Sequence, residues 1–339
     1  MLILGIETSC DECSASIVEN KTHIISNEIA TQIAQHTPYY GVVPELASRL
    51  HLELIQVIAE EAIKKAYITK EKLDAIAVTC TPGLLGSLLV GVNFAKSFAK
   101  FLNIPIIGIN HIMAHLYASQ MIKRLEYPYI GLLVSGGHSL IAKINSYKDI
   151  EVMGASVDDA IGEAFDKVAK FYNLGYPGGV NIDRLAQKGD DSAFAFPLPH
   201  LKKEYYRDYD MSFSGLKSAV INQKNKYLKK NAEDTNENLA ASFQKAAVKI
   251  VMDRLKKAIK DTGIKRVGIG GGVAANSLIR KSIQALEKEG IEIAIPPMLL
   301  CTDNGAMVAG LGCEFFEHKE FSDITLSATS RVAQFKHFL

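Results

Sequence analysis

His111 and His115, in the run Asn110-His111-Ile112-Met113-Ala114-His115, are the residues whose type and spacing speak most directly of chemistry. On a helix, positions i and i+4 share a face with Cβ atoms about 6 Å apart, the separation of a metal-binding histidine pair. The plainer alternative is one core and one half-exposed histidine. A protease of the HExxH type needs a glutamate base directly after the first histidine, and Ile112 stands there, which disfavours that route. Asp303, in the polar loop Cys301-Thr302-Asp303-Asn304-Gly305, is a candidate third ligand, although spacing alone does not bring it to the pair.

Turns of small residues form the second group. Ser135-Gly136-Gly137 lies inside Tyr129–Ile144, YIGLLVSGGHSLIAKI, which reads as strand, tight turn, strand. Its glycines leave the backbone free to take positive φ, with no Cβ between its N–H groups and a phosphate or carbonyl oxygen. An ordinary hairpin is the alternative. Leu2–Glu19 repeats the plan, and its turn, Thr8–Cys13, carries hydroxyls, Asp11, Glu12 and two thiols. Cys10 and Cys13 form a lone CxxC with no nearby histidine, read as a plain turn with buried thiols ahead of a zinc or redox site. Gly270–Asn276 joins a strand to a helix, the setting of an anion site, and Asn276 supplies a donor and an acceptor. This is neither GxGxxG nor a P-loop. Tyr176-Pro177-Gly178-Gly179 is a turn whose backbone can approach a ligand. Asp159, Glu163 and Asp166 line the preceding helix, and Asp183 begins the next one. Acids beside glycine turns suit ribose hydroxyls, or serve only as caps.

Strands are expected at Leu2–Glu7, Asp74–Cys80, Ile104–Ile109, Arg266–Ile269 and Ile291–Ile295 to position these groups. Helices are expected from Pro44 to about Lys65, and over Leu84–Phe101, Ser156–Phe171, Leu239–Lys260, Asn276 to near Lys288, and Ala306–Glu317. Ser156, with Asp159 three residues on, has the spacing of a capping box. Each half thus runs hairpin, helices, strand–glycine turn–helix. That is the plan of an α/β, two-lobed actin/sugar-kinase-like ATPase fold, with a duplicated mixed-sheet core and a nucleotide cleft between lobes. The expected division is 1–108 for the first lobe, with 312–339 packing back onto it, and 109–311 for the second, with a helical insert at about 180–240. Glu45, Arg49 and Glu53 share one helix face, read as solvated. Lys202, Lys203, Arg207, Lys217, Lys224, Lys226, Lys229 and Lys230 interleave with Tyr205, Tyr206, Tyr209 and Tyr227. That is the composition of an RNA contact, or of a solvated face.

The 339 residues are 48% hydrophobic and 22% charged, an ordinary globular balance. No apolar run reaches the roughly 18 residues of a membrane helix, and no signal peptide is read at the start. Five cysteines, an odd number, argue against a disulfide framework and for a reducing, cytoplasmic setting without a membrane partner. A net charge of +1 does not announce a nucleic-acid binder, so such a partner needs local patches or other subunits.

Ten motifs in order make the chain resemble the tRNA N6-adenosine threonylcarbamoyltransferase family: GIETSCDE (5–12), GVVPELASRLH (41–51), TPGLLGSLLVG (81–91), HIMAH (111–115), LLVSGGHS (132–139), DDAIGEAFDKVAK (158–170), YPGG (176–179), FSGLKS (213–218), GGGVAAN (270–276) and CTDNGAM (301–307). The resemblance covers about residues 1–310. It implies transfer of a threonylcarbamoyl group from threonylcarbamoyl-AMP to N6 of adenosine 37, in tRNAs reading codons that begin with A, forming t6A. By motif it implies one divalent metal on His111, His115 and Asp303, iron in the family and zinc equally suited to the ligands. Leu133, Val134, Ser135, Gly136 and Gly137 would line the substrate phosphate and acyl group. Asp166, Gly179 and Asp183 would contact ribose, Asn276 the adenine side, and catalytic Asp11 would sit near the reacting carbonyl. ATP or an analogue can occupy the same cleft. The implied partners are tRNA, an inactive paralogue of the same fold (TsaB type), a small ATPase (TsaE type) and an upstream threonylcarbamoyl-AMP synthase. Cys13, Met211 and Ser139 depart from the family's usual Thr, Phe and Thr. The rival readings are a small-molecule kinase of this fold, a metalloprotease and a non-catalytic scaffold.

Overall fold

A computed structural model of the chain describes residues 1–202, 204–227 and 236–331. The elements run β1 (Leu2–Glu7), β2 (Glu12–Glu19), β3 (His23–Thr31), α1 (Ile33–His36), α2 (Pro44–Lys65), β4 (Ala75–Thr81), α3 (Leu85–Leu102), β5 (Ile106–Asn110) and α4 (His111–Tyr117). They continue with β6 (Tyr129–Val134), β7 (Ser139–Ile144), β8 (Ile150–Ala155), α5 (Ile161–Phe171), α6 (Gly178–Ala186), α7 (Ser214–Tyr227), α8 (Asn236–Thr262), β9 (Arg266–Gly270), α9 (Ser277–Gln284), β10 (Glu292–Ala294), α10 (Met298–Cys301) and α11 (Gly305–Glu317).

The strands form two five-stranded sheets, ordered β3-β2-β1-β4-β5 and β8-β7-β6-β9-β10. Each has an antiparallel meander followed by two parallel strands: β1 pairs with β2 and β4, as β6 pairs with β7 and β9. The duplication expected from the two hairpins is therefore present strand for strand. The mixed pattern follows from connection length, since short turns join antiparallel neighbours and helical crossovers join parallel ones.

The chain divides into two compact units, Met1–Arg124 with the segment from Pro296 onward, and Leu125–Ile295. The expected boundaries, 108/109 and 311/312, are displaced. His111–Tyr117 stays in the first unit because its helix follows directly from edge strand β5 and packs beside α11, which itself lies on β1.

In the first unit, side chains of β1 alternate between two faces. Leu4 and Ile6 join Ile55, Ala59, Val78 and Val92 in a buried cluster with α2 and α3. The other face carries α11 so closely that a Cβ on Gly5 would lie 2.1 Å from Gly305 O. Residues 312–331 also lie in this unit: Ser322 N–H donates to Ile106 O (2.8 Å) and Thr329 N–H to Cys80 O (2.9 Å). Residues 332–339 of the expected returning segment lie outside the described residues. Among the described residues one helix, Leu85–Leu102, is long and apolar enough to cross a membrane by length and composition. Here its Ser87, Leu88, Gly91, Val92, Ala95 and Ala99 are buried.

In the second unit α5 and α8 meet through Phe165 and Phe243, ring centroids 5.3 Å apart, edge to face. The helix expected from Ser156 begins instead at Ile161, because Ser156 is still in extended pairing with Met211. Ser156 Oγ–H donates to Asp159 O (2.6 Å), and Ser139 Oγ accepts from Ile161 N–H (2.9 Å). Among the described residues of 178–240, α6, α7 and the start of α8 are helical and residues 187–202 and 204–213 are not, so the expected helical insert is helical only in part.

Candidate functional site

The parallel strands β1, β4 and β5 point their carboxyl ends the same way, where α/β sheets of this kind present ligand-binding groups. Glu7 ends β1, Thr79 lies near the end of β4, and Asn110 ends β5. Asn110 then caps α4, its side-chain oxygen accepting from Ile112 N–H (2.9 Å) and Met113 N–H (3.2 Å). The cap starts the helix at His111, so both histidines lie on its first turns. The rings meet edge to face, centroids 4.5 Å apart.

Asp303 arrives from far along the chain. Gly5 and Gly305 are mutually in contact: a Cβ on Gly305 would lie 2.6 Å from Gly5 O. Gly305 N–H donates to Ser14 Oγ (2.8 Å), and Asn304 caps α11 by accepting from Met307 N–H (3.0 Å). The N-terminus of α11 is thereby pinned to β1 and β2, and the preceding Asp303 falls beside the pair. His115 Nε2 and Asp303 Oδ1 lie 2.9 Å apart, and His111 Nε2 lies 3.7 Å from the same oxygen.

One ligand atom from each of His111, His115 and Asp303 lies within 4.8 Å of the others. Two imidazole nitrogens and one carboxylate oxygen are a donor set suited to a divalent transition metal, with positions left for other ligands. His115 Nδ1 is buried without a hydrogen-bond partner, so Nε2 is the nitrogen with a role to play. The donor set fits such an ion.

Acidic groups crowd this centre. Burial, Asp303 and Asp11 push the Glu12 carboxyl up to about 10. Burial alone would lower His111, but Asp303 and Glu7 outweigh it and raise the imidazole to about 9. Burial lowers His115, with His111 adding to the effect. Asp11 is buried, and its carbonyl accepts from Gln32 N–H (3.0 Å). The lone CxxC is a pair of free thiols: Cys10 is raised well above the ordinary thiol range by burial and then Asp11, and Cys13 is pushed up to about 12 by burial. Among the described residues no metal cluster includes either. Sequence reasoning passed over Glu7, which is fully buried behind His111. Its signal was a charged residue ending an otherwise apolar strand.

The second unit gathers the other expected residues into one contiguous path. Ser135–His138 is a tight turn, with Ser135 N–H donating to His138 O (2.8 Å). Neither Gly136 nor Gly137 uses the positive φ open to it. A Cβ on either would meet open space, so packing does not demand glycine there. Leu133 and Val134 are fully buried in β6, which leaves only their backbone to meet a ligand. The turn touches α5, where a Cβ on Gly162 would lie 2.7 Å from Ser135 O. Further along α5, Asp166 Oδ1 accepts from Gly178 N–H (2.7 Å) at the start of α6, beside Gly179.

Asp183 is not at the start of α6 but inside it. It accepts from Gln244 Nε2–H (3.1 Å) and Ser277 Oγ–H (2.6 Å). Asn276 caps α9, accepting from Leu278 and Ile279 N–H (both 3.1 Å) and donating to Gln244 Oε1 (3.0 Å). Its oxygen is thus committed to the helix, where a free acceptor was expected. The Gly270–Asn276 loop runs into a helix as expected, α9 from Ser277 continuing as 3-10 helix over Ala285–Glu289. Within the loop, Gly272–Ala275 form a short turn of 3-10 helix. Gly271 is needed for its backbone: its φ is +92° and a Cβ would lie 2.4 Å from Val134 O.

The basic and aromatic stretch is only partly open. Arg207 is paired with Asp210 (3.1 Å) and Lys217 with Asp159 (2.5 Å), and Tyr209 O–H donates to Asp261 (3.0 Å). Tyr205 and Tyr206 are exposed. Lys203, Lys229 and Lys230 lie outside the described residues, as do the side chains of Lys224, Lys226 and Tyr227. Glu45, Arg49 and Glu53 are exposed on α2.

The model of the TsaD family, tRNA N6-adenosine threonylcarbamoyltransferase, matches residues 23–310. A protein of that name from Treponema denticola is 51% identical over 335 residues, 99% of this chain and 98% of the relative. One from Borreliella burgdorferi is 50% identical over 337 residues, 99% of this chain and 96% of the relative. Among solved structures, full-length HypF in a phosphate- and nucleotide-bound form aligns with TM-score 0.63 at 16% identity, over 95% of this chain and 47% of that one. The (R)-2-hydroxyglutaryl-CoA dehydratase component A of Acidaminococcus fermentans aligns with TM-score 0.54 at 15% identity, over 92% of this chain and 97% of that one. At such identities the structures show the fold alone, an α/β fold of the actin-like ATPase type.

Proposed function

The chain belongs to the tRNA N6-adenosine threonylcarbamoyltransferase family, and from that premise we propose that its acyl transfer is assisted by a divalent metal held on His111, His115 and Asp303. It is an acyltransferase that modifies tRNA to form t6A. The kinase reading is not favoured, since relatives matched along nearly the whole chain carry the transferase name.

The donor we propose is threonylcarbamoyl-AMP, and the acceptor is N6 of adenosine 37. A mixed anhydride already carries a good leaving group, so no strong side-chain nucleophile is required. What remains is to hold a labile donor, orient the adenine amine and stabilise an oxyanion. When bound, the metal supplies Lewis acidity for the carbamoyl carbonyl; iron is the family's metal, and the ligand set suits zinc equally. The Ser135–Gly137 backbone offers N–H groups to the phosphate and acyl oxygens, with no Cβ at Gly136 or Gly137 in the way. Asp166 and Gly179 take the ribose side. Asp183 and Asn276 act first by holding the α6–α9 frame, which leaves shape and remaining donor capacity to the adenine side. Asp11 is the acid we assign to orienting the incoming amine.

The observation that carries this reading is the convergence of His115 with Asp303, 188 residues apart in sequence, at 2.9 Å. With a net charge of only +1, the chain gains little affinity for tRNA from its overall charge. We therefore include in the proposal the inactive paralogue, the small ATPase and the upstream adylate-forming synthase as partners, acting in the cytoplasm. The test is metal analysis and reconstituted transfer with purified full-length protein. His111→Ala is expected to lose the bound metal and at least about 100-fold in transfer rate, the scale of losing one oxyanion stabiliser. Full transfer activity in metal-free protein would refute the metal's role.

A further inference from the structure

The two imidazoles of the candidate metal centre are not held alike. His115 Nδ1 has no partner. His111 Nδ1 lies 3.2 Å from Glu7 Oε2 and 3.1 Å from Ser9 Oγ. Glu7 is fully buried, and its carboxylate is occupied by donors on both oxygens. Ser9 N–H donates to Oε1 (2.6 Å), and Thr79 Oγ–H donates to Oε2 (2.6 Å). Glu7 and Thr79 sit on adjacent parallel strands and His111 follows the next, so the carboxylate is anchored by the sheet itself.

We propose that Glu7 is a positioning residue of the metal centre, holding His111 with its proton on Nδ1 so that the Nε2 lone pair faces the ion. The inference rests on the metal reading given above. A buried carboxylate is an acceptor only, so whichever group faces it must be a donor. The Nδ1–H of His111 meets that requirement, shared with Ser9 Oγ as a three-centre bond. An imidazole with its proton fixed on Nδ1 has Nε2 available as a ligand. Glutamine at position 7 keeps the size and loses this logic. It has a single accepting oxygen for three donors, and its amide nitrogen facing Nδ1 favours the tautomer with Nε2 protonated, which cannot bind metal. His115, with no such brace, takes its orientation from Asp303 alone.

The experiment compares Zn2+ affinity of full-length parent and Glu7→Gln by competition with a chromophoric chelator. Nitrogen-15 NMR of Cd2+-loaded parent then reads the histidine ring nitrogens. The variant is expected to bind Zn2+ about 10–100-fold more weakly, the usual effect of losing an outer-shell partner. In the parent, His111 is expected to show Cd2+ coupling at Nε2 and a slowly exchanging proton at Nδ1. Equal Zn2+ affinity in folded Glu7→Gln, or Cd2+ coupling at Nδ1 of His111, overturns the proposal while leaving the metal site standing. Absence of any Zn2+ binding by the parent overturns both. Should Glu7→Gln fail to fold, the parent spectrum alone decides.

Discussion

At the scale of single residues, the first unit combines buried acids, buried imidazoles and buried thiols, and burial affects each differently. A thiol in an apolar site loses the stabilisation of its thiolate. Burial pushes Cys13 up to about 12 and Cys80 and Cys313 up to about 11. These groups are therefore inert packing. Alkylation of native protein at pH 7.5 should leave those three cysteines unmodified, whereas unfolded protein should be modified at all five, as mass-resolved labelling would read. Labelling of native Cys13 at the rate of a free thiol would contradict this. The histidines follow a different rule, because a carboxylate within hydrogen-bond distance opposes burial. His111 has two carboxylates beside it, Glu7 at 3.2 Å and Asp303 at 3.7 Å, and rises; His115 has Asp303 at 2.9 Å, but burial and the neighbouring His111 outweigh it and it falls.

At the scale of elements, backbone-to-backbone contact does more than side-chain packing to set the site. The seam between β1 and α11 exists because Gly5 and Gly305 both lack a side chain. Gly305→Ala inserts a methyl where Gly5 O and Ser16 N already stand within 2.8 Å. Overpacking of this kind costs about 1–3 kcal/mol, and denaturant unfolding should show at least that loss. The same shift moves Asp303, so metal affinity should fall with stability. A variant with unchanged midpoint and affinity would show that the seam is looser than described. Asp159 joins α5 to α7: it lies 2.6 Å from Lys167 and 2.5 Å from Lys217. Burial alone would raise its carboxyl, but those ammonium groups hold it below the ordinary carboxylate range. A depressed folded-state value stabilises above the ordinary value and is lost as pH falls through the folded one. Asp159→Asn is thus expected to cost about 1–2 kcal/mol at pH 7 and to match the parent once the pH is below that range. A difference that persists at low pH would point to shape instead of charge.

At the scale of the whole molecule, the two units are built unlike in sequence although alike in strand order. Leu125–Ile295 is continuous, whereas the first unit needs the segment from Pro296 onward to cover β1. A fragment of residues 125–295 is expected to unfold cooperatively on its own, and a fragment of residues 1–124 to lack a cooperative transition, by circular dichroism. A cooperative 1–124 fragment would mean that α11 is dispensable to the first sheet. Much of this plan was legible in residue order. Alternating apolar runs, proline at the start of α2 and small-residue turns specified both hairpins, the duplication and the helical spacing of His111 and His115, because these are local consequences of backbone geometry. Position 156 misled because Ser156 and Asp159 have cap spacing, while strand pairing with Met211 holds the chain extended. Asp183 and Asn276 looked like free ligands for a similar reason: only the fold reveals that both are bonded to Gln244. The meeting of Asp303 with the histidine pair, the brace of Glu7 behind His111 and the burial of Leu133 and Val134 were decided by tertiary structure alone, since each depends on which distant backbone comes to lie against which strand, and no local preference encodes that.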